Sequence, residues 1–75
     1  MKLADYDAVM AELRTAEERF PPMQSEHEGY AIILEELDEA WDEIKKSPSR
    51  RDKARIRAEM IQVAAMALRF ISDLT

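Results

Sequence analysis

Nine consecutive residues from Glu35 to Glu43, EELDEAWDE, carry six carboxylates. Acids at this density form either a solvated helix face or a cradle for a cation, and hard oxygen donors of this kind suit magnesium or manganese. Glu36 and Glu39 are three residues apart and so are neighbours on one helix face, as are Glu59 and Gln62 further along the chain. If the two helices run antiparallel about a turn centred near residue 49, Glu39 stands level with Glu59 and Glu36 level with Gln62. Carboxylates gathered at one level repel one another and raise each other's pKa until a cation compensates. A shared level does not establish that the groups face each other, and acidic helix faces are common, so both readings stay open at this point.

Three helices are needed to position these groups. Asp5 can cap a first helix running to about Arg19, with Tyr6, Val9, Met10, Leu13 and Ala16 as its apolar positions. Pro21 and Pro22 stop it. Ser25 followed by Glu28 reads as a capping box opening a second helix that continues to Lys46. Tyr30, Ile33, Leu34, Leu37, Trp41 and Ile44 lie within about 60° of one direction on it, so they form the expected seam. Ser47-Pro48-Ser49 marks the turn, with Ser47 or Ser49 starting a third helix that runs to about Ser72. On that helix Ile56, Met60, Val63, Ala64, Ala67, Ile71 and Leu74 make one stripe, while Ile61, Met66, Leu68 and Phe70 point elsewhere. A helix apolar nearly all round is buried nearly all round, and two short neighbours cannot supply that cover. The expectation is an all-α chain, one domain over residues 1–75, whose long antiparallel hairpin completes a helical bundle as a homodimer or homotetramer.

Composition narrows the function classes. The net charge of -5 and sequence pI near 4.8 argue against a binder of nucleic-acid polymers and favour a cationic partner. With no cysteine, neither a disulfide nor a thiolate metal site is available, which suits a reducing cytoplasm. No apolar run approaches the ~20 residues that span a bilayer, and Met1-Lys2 does not open a signal peptide. A cytoplasmic protein without a membrane partner is expected.

The pattern Glu35-Glu36-x-x-Glu39, followed about twenty residues later by Glu59-x-x-Gln62, resembles the EExxE and ExxD motifs of the MazG-like all-α nucleotide pyrophosphohydrolases. The flanking stretches HEGYAIILEELDEAWDEI and EMIQVAAMALRFI are similar to small phage and bacterial members, and together they cover about half of the chain. The resemblance implies a helical homo-oligomer that binds Mg2+ or Mn2+ and cleaves a nucleoside triphosphate between the α and β phosphates. Its products would be a monophosphate and pyrophosphate. The implied metal ligands are Glu36, Glu39 and Glu59, with Gln62 at the fourth position and Glu35 or Glu39 as the carboxylate that orients or deprotonates water. The family's second motif ends in aspartate, whereas Gln62 offers one neutral amide oxygen and cannot act as a base.

Other residues carry two readings. Seven of the eleven basic residues lie between Lys45 and Arg57. Arg50, Arg51, Lys53 and Arg57 near the start of the third helix, where its dipole disfavours cations, are candidates to grip phosphate; a solvated basic turn is the alternative. Trp41 is either a core residue of the seam or a stacking platform for a base. His27 reads as a surface histidine. Gly29, the only glycine, suggests close approach by a helix or a ligand. The competing function is a catalytically silent helical oligomer that binds a nucleotide or a protein partner.

Overall fold

Local signals divide the chain where helices cannot continue. The computed structural model describes all 75 residues and contains α1 (Leu3–Arg19), α2 (Glu26–Ile44), one 3-10 turn (Pro48–Arg50) and α3 (Lys53–Leu74), with no strand. The helix α1 begins before Asp5, which sits in its first turn and accepts from the Lys2 backbone N–H at 3.3 Å. Ser25 caps α2 by accepting from Glu28 N–H at 3.1 Å, while the Glu28 carboxylate reaches one residue further back, to Gln24 N–H at 2.9 Å. At the end of α2, Lys45 N–H bonds to Trp41 O and Lys46 N–H to Glu43 O, a tightening that ends the helix at Ile44, short of Lys46. Neither Ser47 nor Ser49 opens α3. Asp52 does so, accepting from Ala54 N–H at 3.0 Å and Arg55 N–H at 3.2 Å, because a carboxylate both caps the free donors and meets the positive end of the dipole.

The central element is α3, which contacts both other helices. Its small Ala65 packs with Met66 against Ala16 of α1, with Val9, Leu13, Ile32 and Ile33 around them. The inward stripe of α2 differs from the expected seam: it runs through Gly29, Ala40 and Glu43, all buried, whereas Tyr30, Leu34, Leu37 and Trp41 are exposed, Trp41 by 58%. Small residues let α3 approach closely, so the large side chains at 4-3-4 spacing turn away from it. On α3, Met60, Leu68 and Ile71 are exposed as well. The chain exposes 5539 Å², roughly 800 Å² more than a compact globule of its mass is expected to show.

Two ties fix the α1–α2 connection on the far end of α3. The buried Met23 donates its backbone N–H to the Asp73 carboxylate at 2.9 Å, and Arg69 Nη2 donates to Pro21 O at 3.1 Å. Gly29 is the point of closest helix approach. A Cβ there would lie 2.4 Å from Phe70 Cδ2 and 2.8 Å from Cε2, so the neighbouring helix, rather than a ligand, explains the glycine. Alanine would gain about 1 kcal/mol of helix preference but force a displacement of the Phe70 ring that costs about 1–3 kcal/mol. Gly29→Ala should therefore lower the unfolding free energy by about 1 kcal/mol in urea titrations. A stabilised variant would mean that the Phe70 ring swings aside freely.

Candidate metal centre

The six acids of residues 35 to 43 have different surroundings. Asp38 is exposed, and Asp42 makes an exposed ion pair with Lys45 at 3.1 Å. Glu43 is only 3% exposed and accepts from Asp52 N–H at 2.7 Å and Lys46 Nζ at 2.8 Å. The Lys46 hydrogen bond and then the Asp52 amide hold its carboxyl below the usual glutamate value. Glu35, Glu36 and Glu39 remain.

Glu36 and Glu39 of α2 meet Glu59 of α3, and one carboxylate oxygen from each lies within 4.8 Å of the others. None of the three is in an ion pair. Burial, followed by the charges of Glu39 and Glu59, pushes the Glu36 carboxyl up to about 7. Burial also raises Glu59, together with its hydrogen bond to Glu39 and that residue's charge, partly offset by Arg55. A proton thus stands in for the positive charge that this oxygen-only donor set would take from a hard divalent ion, and the residues fit magnesium or manganese.

The cluster stands between two cavities. One, of about 380 Å³, has walls from α1 and α2 and a floor from α3; Glu35, Glu36 and Gln62 line it, with Arg19, Phe20 and Arg69 also in its lining. The other, of about 410 Å³, is lined by polar residues only, including Glu39, Glu59, Lys46 and Arg55. Gln62 therefore shares a cavity with Glu36.

The expected phosphate-gripping residues lie elsewhere. Arg50, Arg51, Lys53 and Arg57 line none of the cavities, and all four are exposed. Arg51 Nε donates to Ile44 O at 2.7 Å, and Arg57 pairs with Asp5 at 2.7 Å. Trp41 also lines no cavity. The cations beside the acids are Arg19, Arg69, Lys46 and Arg55. Arg55 and Arg69 lie four and three residues from the inward-facing Glu59 and Met66, so helical spacing from the acidic motif would have singled them out, whereas clustering in sequence drew attention to the turn. No family model, curated protein or solved structure matches the chain.

The Glu36 shift has a defined sign. Its folded value of about 7 lies above the ordinary 4.5, so its stabilising contribution is complete below pH 4.5 and is lost as pH rises through 7. Glu36→Gln removes that penalty. In EDTA, the Tm of Glu36→Gln minus that of the parent should increase from pH 4.5 to pH 7. A constant difference across this window would show that Glu36 does not face the other acids.

Proposed function

We propose that this chain is a magnesium-dependent nucleoside triphosphate pyrophosphohydrolase of the MazG-like kind, working as a homo-oligomer. The observation that carries the reading is the convergence of Glu36, Glu39 and Glu59 on one point beside a cleft that also holds cations. In this reading those three carboxylates hold the metal, and Gln62 adds a neutral oxygen facing the same cleft. When bound, the metal supplies charge neutralisation for the phosphates and Lewis acidity for attack by water. Glu35, exposed and lining the cleft next to Glu36, orients the attacking water and takes its proton. Water adds to the α phosphorus, the α–β anhydride bond breaks, and pyrophosphate leaves with the bonding electron pair.

The oligomer is supported by the exposed 4-3-4 row of Tyr30, Leu34, Leu37 and Trp41 on α2. Next to it lies a groove of about 630 Å³ lined by Tyr30, Ile33, Leu34, Leu37, Ala67, Phe70 and Ile71. Packed against its antiparallel α2–α3 counterpart in a second copy, this face would form a four-helix core. The surface excess of roughly 800 Å² matches one partner's share of a standard interface. The protein should sediment as a dimer or larger at micromolar concentration, and Leu37→Glu should yield monomers. A folded parent monomer under these conditions removes the oligomer from the proposal.

Catalysis is tested by pyrophosphate release from the common ribo- and deoxyribonucleoside triphosphates with magnesium. Glu36→Gln and Glu59→Gln should each lower the rate by about a hundredfold or more. They should also abolish the rise in Tm that magnesium gives the parent. Gln62→Asp should tighten magnesium binding, since a unit charge near a divalent ion gains several kcal/mol at an effective dielectric near 20, more than one carboxylate pair loses. Magnesium stabilising the parent without any pyrophosphate release would favour the silent nucleotide-binding oligomer, to which the neutral Gln62 also points.

A further inference from the structure

The guanidinium of Arg69 is buried without a counter-charge. The residue is 4% exposed and makes no ion pair; its Nη2 donates to Pro21 O at 3.1 Å and its Nη1 to Met66 Sδ at 3.3 Å. Neither acceptor is charged. Glu17 and Asp73 line a small second cavity next to it, but Asp73 is occupied by the Met23 amide and Glu17 is exposed. Arg19 lies with its guanidinium carbon 5.8 Å from the centre of the Phe20 ring, and that of Arg69 is 5.9 Å from the same ring. All three residues line the cleft that contains Glu35, Glu36 and Gln62.

Desolvating a guanidinium is costly unless an anion or several good acceptors compensate. The cleft gives an anion access to Arg69, and its fork geometry matches phosphate oxygens. From Glu59 to Arg69 the helix rises about 15 Å, and a long side chain in a helix leans back toward the N-terminus, which brings its head closer to the level of Gln62. The carboxylates of Glu12 and Glu28 share the cleft, Glu28 being held by the Gln24 amide, so a bare anion would meet repulsion there. An anion carrying its own magnesium would not.

We propose that Arg69 and Arg19, positioned about the Phe20 ring, form a polyphosphate-binding subsite that holds the β and γ phosphates of the substrate while the acidic cluster holds the metal. The assignment rests on the triphosphate reading above. It makes the α1–α2 connection part of the site: Pro21 O orients Arg69, and the Phe20 ring lies within reach of both guanidiniums.

Equilibrium dialysis with inorganic tripolyphosphate in magnesium buffer tests the subsite without turnover. Arg19 is exposed, so Arg19→Gln removes one cation without disturbing the core; Arg69→Lys keeps the charge and loses the fork. Each should weaken tripolyphosphate binding by about tenfold or more, while the rise in Tm caused by magnesium alone stays at the parent's value. If Arg69→Lys fails to fold, Arg19→Gln decides. Parent-like tripolyphosphate affinity in Arg19→Gln, or no binding by the parent, overturns the subsite. A parent that releases pyrophosphate at a rate unaffected by either substitution would overturn the subsite and leave the enzyme reading intact. Arginine-dependent tripolyphosphate binding without pyrophosphate release would do the reverse.

Discussion

The register between α2 and α3 depends on one buried carboxylate. Glu43, in the last turn of α2, accepts the backbone N–H of Asp52, whose own side chain caps α3. This contact makes the start of α3 a fixed distance from the end of α2, and beyond it one acid of each helix meets the other, about one turn back along α2 and two turns on along α3. On α2 that residue is Glu39, four before Glu43; on α3 it is Glu59, seven after Asp52. Lys46 supplies Glu43 with a positive partner, so this acid stays ionised although buried. No lysine or arginine comes within ion-pair distance of Glu36, Glu39 or Glu59. Glutamates on one helix thus take opposite shifts. The carboxyl that joins the helices is held below its ordinary value, and the one facing other acids is pushed above it. Their contributions to stability accordingly have opposite pH dependence: Glu43 loses its contribution as pH falls through its depressed value, and Glu36 loses its own as pH rises.

Small side chains decide which faces meet. Ala16, Ala65, Ala40 and Gly29 lie where α3 is approached, and Ala40 and Ala65 are fully shielded. Close approach of backbones leaves room inward for little else, so only 8 of 75 residues are buried and the large apolar groups of α2 project outward. The same arrangement opens the cleft. Both α1 and α2 pack on α3, so their facing sides form a trough over it, with Glu12, Thr15 and Arg19 on one wall and Glu28, Glu35 and Glu36 on the other.

The sequence reveals the helices better than it reveals their faces. Pro21-Pro22, Ser25 and Pro48 punctuate the chain strongly, because they remove donors or supply a cap, and the three helices lie between them. Spacing and a short connection place Glu39 level with Glu59, next to Glu36, but leave open whether the three face one another, which the packing of α2 on α3 decides. Exposure of the 4-3-4 row on α2 does not follow, because a hydrophobic pattern ranks Tyr30, Leu37 and Trp41 above Gly29 and Ala40. Within one chain, closeness of backbones outweighed side-chain hydrophobicity. Asp52 was obscured as a cap by two serines beside a proline, each a good cap by type. Helical spacing puts Arg69 on the inward face of α3, but its burial has no local sign: it depends on Pro21, 48 residues away, whose carbonyl it meets only after folding.

Along one face of α3, Glu59, Gln62, Met66 and Arg69 follow one another at spacings of three, four and three. They pass from carboxylate through amide and thioether to guanidinium over about 15 Å. The acid lies toward the helix N-terminus and the cation toward the C-terminus, an order the macrodipole favours, so the polarity itself costs the helix nothing. The cost lies in burial at each end, where like charges crowd at Glu59 and a lone cation is desolvated at Arg69. Either defect could be relieved by replacing the charged group with an apolar one. With Glu36 of the acidic cluster and Arg69 lining one cleft, the cleft has a field that runs from negative to positive, and a ligand that pairs a metal cation with a phosphate anion is the kind that relieves both ends at once.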